Sequence, residues 1–253
     1  MRDLIKELML IPGLSGYEDR VAAAIGAHLD RMGLAWHRDR LGNLITTLPG
    51  DPAAPSVMVF THMDQLGFVI RKIEDDGLLR LERLGGVPER ALSAQAVLIC
   101  TADGDVPGVI ANKSHHATTP DEKYQVVRYQ DLYVDAGFTN HAEAEAAGVR
   151  VGTPVVYLPR TLDLAGGRLA GTSIDDRAGC AALLALADRL TLRGDGPTVH
   201  LVWSVQEEFN LRGVLPAATA LAPDIAMQID LLLASDTPDM ADRGDVRLGG
   251  GPG

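Results

Sequence analysis

The chain has 253 residues, 46% hydrophobic and 23% charged, with 27 Gly and 14 Pro scattered along it; this excludes disorder, collagen and coiled coil and allows one large domain or two modest ones. Its 23 basic and 34 acidic side chains give a net charge of −11, wrong for a phosphate-backbone binder, and 4% aromatics offer little for base stacking, so no nucleic-acid partner is expected. No apolar run reaches the eighteen or so residues of a membrane span, residues 1–13 are too interrupted by charge to be a secretory signal, and Cys100 and Cys180 read as reduced thiols, which together predict a cytoplasmic protein.

Ser15-Gly16-Tyr17-Glu18 has the pattern of a capping box. The helix it opens carries Val21, Ile25, Leu29 and Met32 at helical spacing, with Gly33 as its C′ residue. Residues 36–48, broken by Gly42-Asn43, predict a hairpin, and the short apolar run 56–61 predicts a strand buried on both faces. From about 67 to 159 the texture changes. Short Val/Ile/Leu-rich runs at 68–73, 78–84, 96–101 and 106–111 alternate with Gly, Asp and Pro turns, which predicts a small all-β module with one helix around 141–147. A helix returns over 174–193, with Cys180, Leu183, Leu184, Ala187 and Leu190 on one face. Residues 199–205 and 225–234 predict a second and a third buried strand, with a helix between them at 214–221. Strand, helix, strand, helix, strand is the signature of a parallel sheet. The expected architecture is therefore α/β: a mixed, mostly parallel sheet flanked by helices, built from residues 1-65 and 163-253 and interrupted by a β-rich insertion over 66-162.

The ionisable residues fall at the ends of these strands. His62 and Asp64 follow the first, Glu207 and Glu208 follow the second, and Asp175 and Asp176 open the helix between them. Ligands of a parallel sheet bind outside the carboxyl ends of its strands, so this chain order brings His62, Asp175 and both Glu to one edge. Asp230 interrupts an apolar run, where a lone carboxylate is costly to bury without a partner or a metal. Each has a plain structural role open to it: a hydrogen-bonded histidine, a helix N-cap, a solvated acidic pair, a sheet edge. Their conjunction is what points to a site for Zn²⁺, Co²⁺ or Mn²⁺, and the wealth of carboxylates points to two cations. Asp64, two residues from His62, is placed to fix the imidazole tautomer. On an extended backbone Glu207 and Glu208 point in different directions, so that one binds metal while the other takes the proton from the attacking water.

Thr61-His62-Met63-Asp64, Ser173-Ile174-Asp175-Asp176-Arg177, Gln206-Glu207-Glu208 with Leu211-Arg212-Gly213, and Asp230 with Asp236-Thr237-Pro238 resemble metallopeptidase family forty-two, the tetrahedral and glutamyl aminopeptidases, some of whose members also carry the label endoglucanase. Ser15-Gly16-Tyr17-Glu18 and Leu41-Gly42-Asn43 match as well, and the resemblance runs the whole chain in order. It implies a zinc-exopeptidase-like fold with a PDZ-like dimerisation insertion, in a dodecamer whose active sites face an inner cavity. It implies that His62 and Asp230 hold one metal, that Asp175 bridges, that Glu208 binds the second metal and that Glu207 is the general base. The peptide after Asp175 is expected to be cis, and short peptides are the expected substrate.

Three departures from the family pattern stand out. Phe209-Asn210 takes the place of a small apolar residue and Gly. His115-His116 lies in the insertion, where a structural or interface role is expected. No His follows His200, so the second metal lacks the nitrogen ligand the family takes from a later segment, and the tail 248–252 resembles a mid-domain loop, so the chain is expected to stop before its last strands and helices. Two alternatives stay open at this stage: a catalytically impaired assembly or binding form, and a related metal-dependent deacylase.

Overall fold

The computed structural model describes residues 1–192 and 194–251. α1 (Arg2–Met9) buries Leu8 and Met9, and α2 (Asp19–Arg31) buries Val21, Ala22, Ile25, Gly26 and Leu29, the stripe that helical spacing predicts. α2 ends as expected: Gly33 has φ 70°, its N–H donates to Asp30, and the Leu34 N–H donates to Leu29, the closure a left-handed glycine permits. Its start differs from the predicted capping box. Glu18, not Ser15, is the N-cap residue, and it makes no side-chain cap bond. Ser15 is drawn into a backbone pairing with Gln65, which leaves the Glu18 carboxylate to bond elsewhere.

β1 (His37–Arg38) and β2 (Leu44–Leu48) form the predicted hairpin, its turn held by Asp39 Oδ1, which accepts from the N–H groups of Leu41, Gly42 and Asn43. β3 (Val57–His62) follows. The chain then enters β4 (Gly67–Ile73), β5 (Leu79–Leu84), β6 (Ala96–Cys100), β7 (Asp105–Ala111), β8 (Tyr133–Asp135), α3 (His141–Ala146) and β9 (Pro154–Tyr157). These six strands close into an antiparallel barrel in the order β4-β5-β8-β7-β6-β9. Its interior, with Phe68, Ile70, Leu81, Ile99, Ile110, Val134 and Val155, is a core of its own. A small hairpin, β10 (Thr161–Asp163) and β11 (Leu169–Gly171), leads back to α4 (Ile174–Thr191), β12 (Val199–Ser204), α5 (Val214–Leu221) and β13 (Ile225–Gln228).

The remaining strands make a five-stranded sheet in the order β1-β2-β12-β3-β13. β12 and β13 run parallel to β3, whereas β2 joins β12 antiparallel, so among the described residues the sheet is half parallel, not mostly so. The reason is the hairpin, which brings its second strand to the β12 edge. One face packs on α1, α2 and α4, where Cys180, Leu183, Leu184 and Ala187 are fully buried. Each such leucine contributes about 2 kcal/mol. The other face packs on α5 through Ile45, Met58, Val202, Val214 and Ala217.

Two expectations need correction. The predicted helix over 174–193 ends at Thr191, and its stated limit, Arg193, lies outside the described residues; Asp175 (ψ 114°) and Asp176 (ψ 48°) are not helical, and the peptide between them is cis. The predicted buried strand over 225–234 stops at Gln228 and is exposed along its length, as are Leu231, Leu232 and Leu233. β13 pairs with β3 alone, and among the described residues no layer covers it. No helix in the described residues is long and apolar enough to cross a membrane.

Candidate metal centre

The register pairs Ser204 with His62, so β3 and β12 end together and release their loops at one edge of the sheet. His62, only 2% exposed, stands at that edge. Its Nε2 lies 3.2 Å from Asp175 Oδ1, 3.7 Å from Glu207 Oε2 and 3.9 Å from Asp230 Oδ1, and its Nδ1 lies 3.3 Å from Asp64 Oδ1. His62, Asp175 and Asp230 each offer one ligand atom within 4.8 Å of the others. Glu208 lies outside this trio but close to it, its Cβ facing Gly85 of the barrel. Asp230 is partly exposed and accepts from Gln228 Nε2 at 2.6 Å, so the burial cost expected for it does not arise. Glu207 and Glu208 sit in a one-turn 3₁₀ helix rather than on extended backbone.

Asp64 is fully buried and does more than face His62. Its Oδ1 accepts the Glu207 N–H at 2.9 Å and its Oδ2 the Glu208 N–H at 3.1 Å, so one carboxylate fixes both the imidazole and the acidic pair. Beneath it, Arg177 is fully buried and donates to Leu8 O at 3.1 Å, Ile11 O at 3.2 Å and Gln65 Oε1 at 3.3 Å. Gln65 Oε1 also accepts the Gly13 N–H at 3.1 Å. Asp176 is buried and accepts from Thr61 Oγ1 and from Gly179 N. Arg177 is legible as part of its motif, but Gln65 carries no spacing signal, because its partners are 52 and 112 residues away.

The electrostatics favour a cation. Burial opposes a charged imidazole, yet the carboxylates of Asp175, Asp64 and Glu207 outweigh it and push His62 up to about 11. Burial and mutual repulsion raise Glu207, and push Glu208 to about 7. A locus that draws a proton so strongly, with hard oxygen donors around one imidazole nitrogen, fits a divalent ion. His115 and His116, exposed in a short 3₁₀ turn with ring centroids 5.9 Å apart, join no such group among the described residues.

An imidazole ringed by carboxylates at the carboxyl edge of an α/β sheet is the arrangement of a metal-dependent hydrolase. Comparison with known proteins gives the family. The profile described as M42 glutamyl aminopeptidase matches residues 42–253. SgcX of Escherichia coli (strain K12) is 39% identical over 256 residues, covering 100% of this chain and 68% of its own length. The lysyl aminopeptidase of Pyrococcus furiosus is 32% identical, covering 99% and 71%. Among solved structures, PhTET1-12s, a dodecamer, superposes with a TM-score of 0.85 at 29% identity, covering 94% of this chain and 70% of that one. The chain belongs to the M42 peptidase family, whose aminopeptidases are hydrolases acting on peptide bonds, and it spans about two thirds of the length of these relatives.

Proposed function

We propose that this chain removes N-terminal residues from short peptides, with Glu207 as general base and His62, Asp175 and Asp230 as the ligands of one divalent cation. The observation that carries the reading is the convergence of those three ligand atoms within 4.8 Å, with the Glu207 carboxylate 3.7 Å from the same imidazole. Asp175 has a second oxygen to share, and Glu208 beside it completes the protein's offer to a second cation. Zn²⁺, Co²⁺ and Mn²⁺ all suit this donor set. Bound there, such ions polarise the scissile carbonyl and acidify water.

The chain's own groups do the rest. Burial and Asp64 hold the His62 ring in one orientation. Glu207, its carboxyl raised above the ordinary value by burial, takes the proton of the attacking water and returns it to the leaving amine. The acidic field of Asp175, Glu208 and Asp230 favours a substrate that presents a protonated N-terminus.

We divide the chain into a catalytic part, 1-65 and 163-253, and an inserted domain, 66-162, a division supported by the separate cores of sheet and barrel. The insertion is read as a PDZ-like dimerisation domain and the protein as a homo-oligomer of the dodecameric kind, with PhTET1-12s as support. Cytoplasmic work accords with two free thiols. The test is release of chromophore from a panel of aminoacyl anilides. Chelator-stripped protein should be inactive, and Co²⁺ or Zn²⁺ should restore the rate. Hydrolysis that survives stripping, or no hydrolysis of any anilide by the metal-loaded chain, would contradict the reading.

A further inference from the structure

Four consecutive backbone N–H groups at the end of β12 each donate to a side-chain oxygen brought from far along the chain. Val205 N–H donates to Asn43 Oδ1 at 2.9 Å and Gln206 N–H to Glu18 Oε1 at 3.0 Å. Glu207 and Glu208 N–H donate to the two oxygens of Asp64. All three acceptors are buried, Glu18 at 4% exposure and Asn43 and Asp64 at 0%. The segment they hold bends sharply, with φ 54° at Gln206 and φ 68° and 55° at Asn210 and Leu211. Left-handed backbone at residues with a Cβ persists only where the surroundings over-determine it. Here they do, because successive N–H groups that leave a ladder find fixed acceptors.

The acceptors are themselves anchored. Glu18 Oε1 also accepts the Gly16 N–H at 2.7 Å, and residues 13–15 are hydrogen-bonded to Gln65, just past β3. Asn43 Nδ2 donates to Asp39 Oδ2 at 2.6 Å and to Gly213 O at 2.9 Å, on the far side of the loop. Glu18 thus ties the loop after β3 to the loop after β12. As the N-cap residue of α2 it makes no cap bond, so local helix capping does not account for it.

We propose that Glu18 and Asn43 are positioning residues for the hydrolysis: through the backbone of 205–206 they keep the Glu207 carboxylate at His62. The inference rests on Glu207 being the base. Glu18 accepts from both Gly16 and Gln206 and so joins the two loops directly, which makes it the residue to test. In metal-free protein, Glu18→Ala should speed amide hydrogen exchange of residues 205–208 at least tenfold, while Glu18→Gln, which keeps an accepting oxygen, should stay within about threefold of wild type. With Co²⁺ bound, Glu18→Ala should lower kcat by roughly 10- to 100-fold with KM within about threefold, and Glu18→Gln should recover most of it. If Glu18→Ala does not fold, Glu18→Asp, too short to reach Gln206, should show the same exchange effect. Exchange and kcat unchanged in the variant that folds would overturn the proposal. Exchange that responds to Glu18 in a wild type that hydrolyses no peptide would uphold the cradle and refute the function read above.

Discussion

Glu18 carries a carboxyl pushed up to about 7, chiefly by burial, against an ordinary value of 4.5. The sign follows from linkage: the folded state binds this proton more tightly than the unfolded chain, so Glu18's contribution is full below about pH 4.5 and is lost as pH rises to about 7. Chemical denaturation across that window should show wild type losing stability on the order of 3 kcal/mol more than Glu18→Gln; parallel pH curves for the two would contradict this. A second prediction concerns the ligands. Asp230→Asn and His62→Ala should each weaken binding of the first cation at least tenfold by calorimetric titration, whereas His116→Ala should not change it. His62, Asp175, Glu207 and Glu208 were legible because each follows an apolar strand run or opens a helix. Asp230, read either as a buried carboxylate or as one at a sheet edge, is partly exposed among the described residues, just past a strand that pairs there with β3 alone. The Glu18–Gln206 bond spans 188 residues and leaves no trace in local pattern.

At the scale of elements, the loop 205–213 shows how close packing replaces propensity. A Cβ at Gly213 would lie 2.3 Å from Val205 O and 2.4 Å from Asn43 Oδ1, so Gly213→Ala must displace backbone. It should cost about 1–3 kcal/mol, a fall in Tm of roughly 2–12 °C by calorimetry, with a matching loss of kcat; an unshifted Tm would mean the approach is not needed. Asn210 adopts φ 68°, a conformation Asn tolerates better than most residues, while Arg212 lies over the Phe209 ring at 4.1 Å. Asn210→Gly should shift Tm by no more than about 3 °C. Helical spacing marked the buried stripe of α2, and apolar runs between turn residues marked α5 and β4 to β7 nearly to the residue, whereas the short β8 and β9 carried no such signal. The capping box failed because a long-range pairing with Gln65 took Ser15 out of the helix start.

Over the whole molecule, two cores, one beneath the sheet and one inside the barrel, are clasped by Tyr17 donating to Gly152 O at 2.8 Å and by Arg20 meeting both Asp105 oxygens at 2.6 and 2.8 Å. The alternation of strands and helices made the sheet legible, and the change to short β runs made the insertion legible; barrel closure and the antiparallel pairing of β2 with β12 depend on tertiary pairing that no local pattern states. A cation held by residues from β3, the start of α4 and the segment after β13 joins three distant stretches, so binding should stabilise the fold. At a hundredfold excess over Kd the gain is about 2.7 kcal/mol, a Tm rise of roughly 5–10 °C that His62→Ala abolishes. The most direct test of the central claim is kcat for an aminoacyl anilide by the metal-loaded chain, wild type against Glu207→Gln, with metal content measured on the same samples. Glu207→Gln should keep its metal and lose activity by roughly 100- to 10,000-fold. Equal rates at equal metal content would remove Glu207 from the chemistry.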